Sequence, residues 1–452
     1  MKRGSATNTV TRRVVVQSGV AGVGGLLAAA CGGQGAQGES KTALAGEVEF
    51  WGLGEPETAE IAKRFGQKNS GVKMNFSVPP GLQDKLIVAV AAGTPPDIAA
   101  GLQQTISTLG SKNLAEPAED VLKGSRWSAN DMLEGIRTAV SYKGKILATP
   151  YITDSSPVAL NLDLLSQAGL KLPAKNWTWT DLADYATKLT VRTGGETKVW
   201  GMQCSQAPAA GDDAGQTYFG QVLYSFGGTY VDAAGEKATF ASPQGIAALE
   251  YWVNLIQKLR VSPLPWPPKW IDDGTKGDLV VPGFNDGSNG GAAMRLLLTA
   301  SLKGVRAGAT FKWTNVMAPQ QPKLASSLSG GNWFQVKGTR RKDLATALLR
   351  HLADTEQLAM YAASIQRLPT YKSVINHKLY QDFMKSVPEL QVHWDMLQGA
   401  YPKVPNVVGW NDGQPALRTA IGAALRGEVT PSAALQDAAR QMDTALATGR
   451  TG

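Results

Sequence analysis

Gln83-Asp84-Lys85-Leu86-Ile87-Val88-Ala89-Val90-Ala91-Ala92-Gly93-Thr94-Pro95-Pro96-Asp97-Ile98 changes character twice in sixteen residues. As far as Ala92 it reads as a helix that Gly93 stops, then Thr94-Pro95-Pro96 as a rigid turn, then Asp97-Ile98 as the entry to a strand. Upstream, Glu47-Val48-Glu49-Phe50-Trp51 alternates as a strand does, and Gly52 to Glu55 turn the chain. Ile61, Ala62 and Phe65 fall on one helical face, and Val72, Met74 and Phe76 alternate again. Strands and helices alternating at this spacing predict an open α/β sheet.

Farther out, Thr180 is expected to cap a helix with Leu182, Tyr185, Ala186 and Leu189 as its apolar stripe. Ser242-Pro243 opens another with Ile246, Leu249, Val253 and Ile256, and Thr430-Pro431 a last one with Leu435, Ala438, Ala439 and Met442. These stripes read as core, not site. Ser262-Pro263-Leu264-Pro265-Trp266-Pro267-Pro268-Lys269-Trp270 is too rich in proline for a regular helix and reads as an extended connection. No internal repeat is visible. At 452 residues the chain exceeds the size at which one core usually splits, so two lobes are expected. Its 43% apolar and 18% charged content is that of an ordinary globular protein, and 50 glycines with 24 prolines require many turns.

The first residues differ in kind. Arg12-Arg13 behind Thr11, an apolar small-residue run over 14–30 and then Cys31 read as an export signal over 1–30 of the twin-arginine kind. Cys31 follows Leu27-Ala28-Ala29-Ala30, a neighbourhood in which a lipoprotein signal is cut and the new terminal cysteine acylated. Ala28 stands where such signals usually carry Leu, and plain cleavage near Ala30 is the alternative. Residues 32–45 are polar and glycine-rich, a flexible tether holding the body on the order of 20 Å from a membrane. No later apolar run reaches membrane-spanning length, so the body is expected to be soluble, extracytoplasmic and lipid-anchored. With Cys31 acylated, Cys204 has no partner, which excludes a disulfide or a cysteine-ligated metal within a monomer, the expected state. The net charge of +8 includes Lys2, Arg3, Arg12 and Arg13 and falls to +4 without these four, too mild and dispersed for a nucleic-acid partner.

Several further stretches follow the opening one in a set order. They are residues 142–151, Asn161-Leu162-Asp163-Leu164-Leu165, Ala168-Gly169-Leu170 and Trp177-Thr178-Trp179-Thr180-Asp181-Leu182. Then come Gly227-Gly228-Thr229-Tyr230-Val231-Asp232, Gly291-Ala292-Ala293-Met294, Gly330-Gly331-Asn332-Trp333, Arg367-Leu368-Pro369-Thr370 and the stretch 427–435. The ordered set, spread over most of 46–448, resembles the extracellular solute-binding proteins of ATP-driven (ABC) importers, in particular the carbohydrate-binding group that includes maltose-binding protein. The resemblance implies two α/β lobes, each on an open sheet, joined by crossings near 149–154, 316–320 and 367–371. Lobe 1 would hold 46–150 and 320–366, and lobe 2 would hold 154–315 and 372–448, with 262–270 beside the cleft. It also implies a carbohydrate ligand in that cleft, closure about the crossings, and delivery to ABC permease subunits in the membrane.

Sugar recognition needs flat apolar surfaces against the C–H faces of the ring and hydrogen-bonding groups around its edge. Tryptophan supplies the first best, and the chain has 12. Trp127, Trp200 and Trp252 need no role beyond packing. The resemblance makes candidates of Trp51 at the end of the first strand, Tyr151 at the first crossing, Trp333 after the glycine pair and Trp410 in the loop before the C-terminal helices. Core or rim packing is the alternative for each. Gln83 begins the motif helix, where the family often has a polar contact. Arg367 either forks onto a hydroxyl pair or carboxylate of the ligand, or forms a salt bridge that fixes the hinge. Gly331, with Gly330, either lets backbone approach ligand closely or makes a plain turn.

Maltose-type relatives carry an aromatic residue a few positions beyond the alanine-methionine pair, where this chain has Arg295-Leu296-Leu297-Leu298-Thr299-Ala300. That platform is missing, and maltodextrin itself is not implied. A polyamine, phosphodiester or peptide is the alternative ligand. The rival class is a glycosidase, which needs two carboxylates about a bond; Asp84, Asp97, Asp154 and Asp412 are available, though Asp97 reads as a turn or cap residue. There is no H-E-x-x-H, G-x-S-x-G or G-x-x-x-x-G-K-[ST], and His351, His377 and His393 lack metal-ligand spacing. Catalysis, a metal and a cofactor are therefore not expected.

Overall fold

The computed structural model describes residues 44–203, 214–264, 284, 291–402 and 405–451. The export signal, Cys31, the tether as far as residue 43, Cys204 and residues 265–270 of the Pro/Trp-rich stretch lie outside the described residues.

β1 (Ala45–Trp51), α1 (Pro56–Lys68), β2 (Gly71–Ser77), α2 (Leu82–Ala91) and β3 (Ile98–Leu102) follow one another as the sequence alternation requires. Val48 and Phe50 point into the core from one face of β1, and α1 lays Ile61, Ala62 and Phe65 onto the same core. Fully burying such a side chain is worth about 1.5–3 kcal/mol. β1 pairs parallel with β2, Phe50 opposite Phe76, and with β3, Phe50 opposite Ile98. The strand Gly331–Gln335 adds antiparallel to β3, and Thr149–Pro150 completes a five-stranded sheet.

A second core gathers around Val158–Asn161, which lies between Met294–Leu296 and Trp313–Val316 in a three-stranded sheet, antiparallel among the described strands. Helix Trp179–Leu189 buries Leu182, Ala186 and Leu189 there. Its N-cap is Thr178 and not Thr180, because Thr178 and Asp181 satisfy each other's backbone N–H in a capping box. Ser242 caps Pro243–Val253, and Thr430 accepts from the Ala433 N–H at the start of Pro431–Thr451. Helix Trp410–Leu425 packs Leu417 and Ile421 in the same core as Leu435 and Met442 of Pro431–Thr451. Trp410 is thus the first residue of a helix, not part of a loop.

The chain passes from the first core to the second between Ile152 and Val158. From there Ala159, Phe284, Leu297 and Leu302 still pack in the first core, Met317, Ala318, Leu324 and Ala325 pack in the second, and Leu328 is in the first again. Past Leu368 and Tyr371, which pack in the first core, the chain reaches the second core at Met396 and again from Val407 onward. Leu368, Tyr371, Val374, Ile375, Tyr380 and Leu390 all pack in the first core, where helix Thr355–Ile365 meets Lys378–Ser386. That core also takes in Leu297 and Leu302 of the segment expected in lobe 2, and Arg306 pairs with Glu389, so residues 372–390 pack against segments of both expected lobes.

Candidate ligand-binding site at the crossings

The three passages between the cores run side by side. Ser326–Leu328 pairs parallel with Ala400–Pro402, and the Ser156 N–H donates to Ser326 Oγ at 3.2 Å. Burying irregular backbone leaves polar groups that must be paired, and the small hydroxyls of 153–156 do much of that pairing. Thr153 N–H donates to Leu368 O (3.0 Å), Thr153 Oγ1 to Ser329 O (3.1 Å) and Asp154 N–H to Ser329 O (2.8 Å). Ser155 Oγ donates to His393 O at 2.8 Å, and His393 Nδ1 lies 3.1 Å from Ser155 Oγ and 3.0 Å from Thr299 Oγ1. Burial pushes the His393 imidazole down to about 3, so the ring is neutral at neutral pH.

Arg367 forms a salt bridge within the protein: its guanidinium donates to Asp154 Oδ2 at 2.7 Å, and its carbonyl accepts from Tyr380 Oη at 2.8 Å. Tyr151 stacks on Trp333, centroids 4.1 Å apart and planes 16° off parallel, and both rings are about 1% exposed or less. Gly331 makes that stack possible, since a Cβ there would strike the Tyr151 hydroxyl. The close approach expected at the glycine pair is made by the protein's own tyrosine. Burial, with Glu55 beside it, holds the Tyr151 hydroxyl well above its usual value, and it donates to Glu55 Oε1 at 3.4 Å.

The structure therefore brings together Tyr151, Gly331, Trp333 and Arg367. Trp51, half-buried, ends β1, which β3 separates from Gly331–Gln335, and its Nε1 donates to Glu49 Oε1 at 3.0 Å. Gln83 lies apart, its amide donating to Thr108 Oγ1 at 3.2 Å. Trp410 also lies apart, 1% exposed in the second core with its ring 5.2 Å from that of Tyr230. Of the carboxylates available to a glycosidase, Asp97 is buried and occupied by Thr339 Oγ1 and the Glu49 N–H, and Asp154 by Arg367.

Sequence reasoning passed over the polar atoms around this cluster. Glu55 Oε2, Asp154 Oδ1, Asn332 Nδ2 and Arg367 Nε are buried with no hydrogen-bond partner among the described residues. Asn332 shares a small cavity with Thr153, Ser329 and Gly330. Its neighbours in Gly330-Gly331-Asn332-Trp333 drew attention, but alternation along the strand puts Asn332 on the face opposite Trp333. Spare acceptors at Glu55 and Asp154 and spare donors at Asn332 and Arg367, with Glu55 on the Trp333 side of the strand and Asn332 on the other, suit a ligand carrying several hydroxyls.

The sequence matches the bacterial extracellular solute-binding protein family over residues 60–389, and the chain belongs to that family. It is an extracytoplasmic solute-binding protein and not an enzyme. The ABC substrate-binding protein Lmo0181 from Listeria monocytogenes, in complex with cycloalternan, superposes with a TM-score of 0.73 at 20% identity over 89% of this chain and 99% of that one. The cyclic alpha-maltosyl-1,6-maltose binding protein from Arthrobacter globiformis gives 0.71 at 21% identity over 90% and 100%. These likenesses show the two-lobed fold. The sn-glycerol-3-phosphate-binding periplasmic protein UgpB of Escherichia coli O1:K1 / APEC is 25% identical over 426 residues, 86% of this chain and 90% of its own length.

Proposed function

We propose that the protein captures a sugar or oligosaccharide between its lobes and hands it to an ABC permease. Lobe 1 is built on about 44–152 and 328–368 and lobe 2 on about 158–325 and 396–451, with 371–390 packed against Leu297 and Leu302 in the core they share. Ligand settles on the strand ends of lobe 1, the passages between the lobes rotate, and lobe 2 completes the contacts, so closure is favoured by the contacts it adds. Trp51 stacks on the sugar, Asn332 and Arg367 donate to it, and Glu55 and Asp154 accept from it. The mature protein works as a monomer, held at the membrane by an acyl chain on Cys31.

The observation that carries this reading is the set of unpartnered polar atoms at Glu55, Asp154, Asn332 and Arg367. Two carboxylates against one guanidinium disfavour an anionic solute, which supports a neutral polyol over a phosphodiester. A thermal-shift panel of mono- and oligosaccharides, sn-glycerol-3-phosphate, glycerophosphocholine and spermidine tests it. Ligand at 100 times its Kd adds about 2.7 kcal/mol, and a sugar is expected to give that shift. Shifts with the phosphodiesters or spermidine alone would overturn the sugar assignment.

A further inference from the structure

The turn Lys337-Gly338-Thr339-Arg340-Arg341-Lys342 joins strand Gly331–Gln335 to helix Lys342–Leu352, and its charges oppose the helix it opens. Arg341 is the N-cap, Lys342 is the first helical residue, no side chain caps the end, and Asp343 is the one acid of the first turn against these two cations. Helix N-termini favour acids and short polar caps, because their free N–H groups and dipole attract negative charge. The one short polar side chain at hand, Thr339, is committed to Asp97 and to the Arg341 N–H. Arg340, Arg341 and Lys342 are all exposed. Local chemistry that works against its own element points to a requirement outside it.

The position of the turn supplies that requirement. Arg340 donates to Gly93 O at 3.1 Å beyond the end of α2, and the Arg341 guanidinium lies where a Cβ on Gly46 would stand. Lys337 N–H donates to Leu114 O at 2.9 Å, which sets exposed Lys112 on the same side. This pole carries the N-terminal ends of β1 and β3, opposite the strand ends that bear Trp51 and Gln103. Of its acids, Glu47 pairs with Lys73, Glu116 with Lys337 and Asp97 is buried against Thr339, which leaves exposed Asp343 against Arg340, Arg341 and Lys342. It is also the pole at which the described chain begins, with Leu44 entering β1.

We propose that this basic pole docks on an anionic lipid surface. The 12 residues between Cys31 and Leu44, taken from their composition alone as a flexible tether, would span about 20 Å and keep Arg340, Arg341 and Lys342 near the headgroups of the bilayer that holds the anchor. A single acyl anchor gains from a second, electrostatic signal, and exposed cations beside the entry point supply it. The reach of the tether rests on the lipid anchor proposed above; the charge argument and the vesicle test do not.

The purified full chain and its R340E/R341E/K342E variant are floated with phosphatidylcholine vesicles made with and without phosphatidylglycerol. A control, K171E/K175E/K188E, makes the same charge change at exposed lysines on the second lobe. Phosphatidylglycerol is expected to tighten binding of the full chain, by roughly fivefold for each of the three cations. That gain should fade as salt rises, vanish in the triple variant and survive in the control. R340Q/R341Q, which adds no acid, should lose part of the gain and serves if the triple variant folds poorly by circular dichroism. An unchanged gain in the folded variants, or an equal loss in the control, overturns the proposal. So does a preference for phosphatidylglycerol that is absent throughout while solute uptake falls in the triple variant, since the patch would then face an acidic protein.

Discussion

Replacing Arg367 by Leu isolates the contribution of the tie at the first crossing. Asp154 is left with its side chain 6% exposed and with Ser329 Oγ, 3.4 Å away, as its remaining side-chain donor. Breaking a fully buried pair costs about 3–5 kcal/mol. The Arg367 side chain is 20% exposed, so water screens part of the attraction, and the expected loss is about 2–3 kcal/mol. Asp154→Leu should cost about the same, since it strands the guanidinium instead. The double variant D154L/R367L buries no unpaired charge and should recover most of the loss, a coupling of about 2 kcal/mol. Urea midpoints for the four proteins, at constant slope, give each value. Two single losses that simply add in the double variant, or losses under about 0.5 kcal/mol, would refute the reasoning.

Acid should weaken the fold through His393, whose proton affinity is low in the folded state (about 3) and ordinary when unfolded (6.5). Between those values the unfolded chain binds more protons, so the stability His393 contributes is complete above 6.5 and is lost as pH falls toward 3. Melting temperature should drop below pH 6.5 less steeply in His393→Asn; parallel curves would show that the ring is not the cause. Trp333→Ala should cost about 3–5 kcal/mol of stability as a core truncation. Trp51→Ala should instead leave melting nearly unchanged and weaken sugar binding about tenfold, and an intact affinity would remove Trp51 from the site. Cys31→Ala should move the protein from the membrane fraction to the soluble extracytoplasmic fraction, and a variant that stays with the membrane would end the lipid-anchor reading.

Strand alternation and helix periodicity made β1 to β3 legible, because each pattern is local: Val48 and Phe50 against Glu47 and Glu49, then Ile61, Ala62 and Phe65 on one face. The crossings were less legible, since periodicity says that Tyr380 and Leu390 are buried without saying in which core. The hydrogen bond from Thr153 N–H to Leu368 O, which ties the 367–371 segment to the first crossing, joins residues far apart in sequence. For the same reason motif order located Trp333 and Tyr151 but not their stacking on each other. Choosing the aromatic residue of Gly330-Gly331-Asn332-Trp333 selected the core face of the strand and missed Asn332 on the other. Glu55 passed as a turn residue, its link to Tyr151 visible only once the two elements meet.

Calorimetric titration of the sugar that gives the largest thermal shift, into the wild type and Asn332→Ala, tests most directly whether the crossings hold the ligand. Asn332 Nδ2 has no hydrogen-bond partner among the described residues, so its loss should leave melting nearly unchanged. One sugar should bind per wild-type chain, and the variant should bind about tenfold or more weakly, the worth of a buried hydrogen bond to a ligand. Equal affinity and enthalpy in the two proteins would contradict a binding site at the crossings.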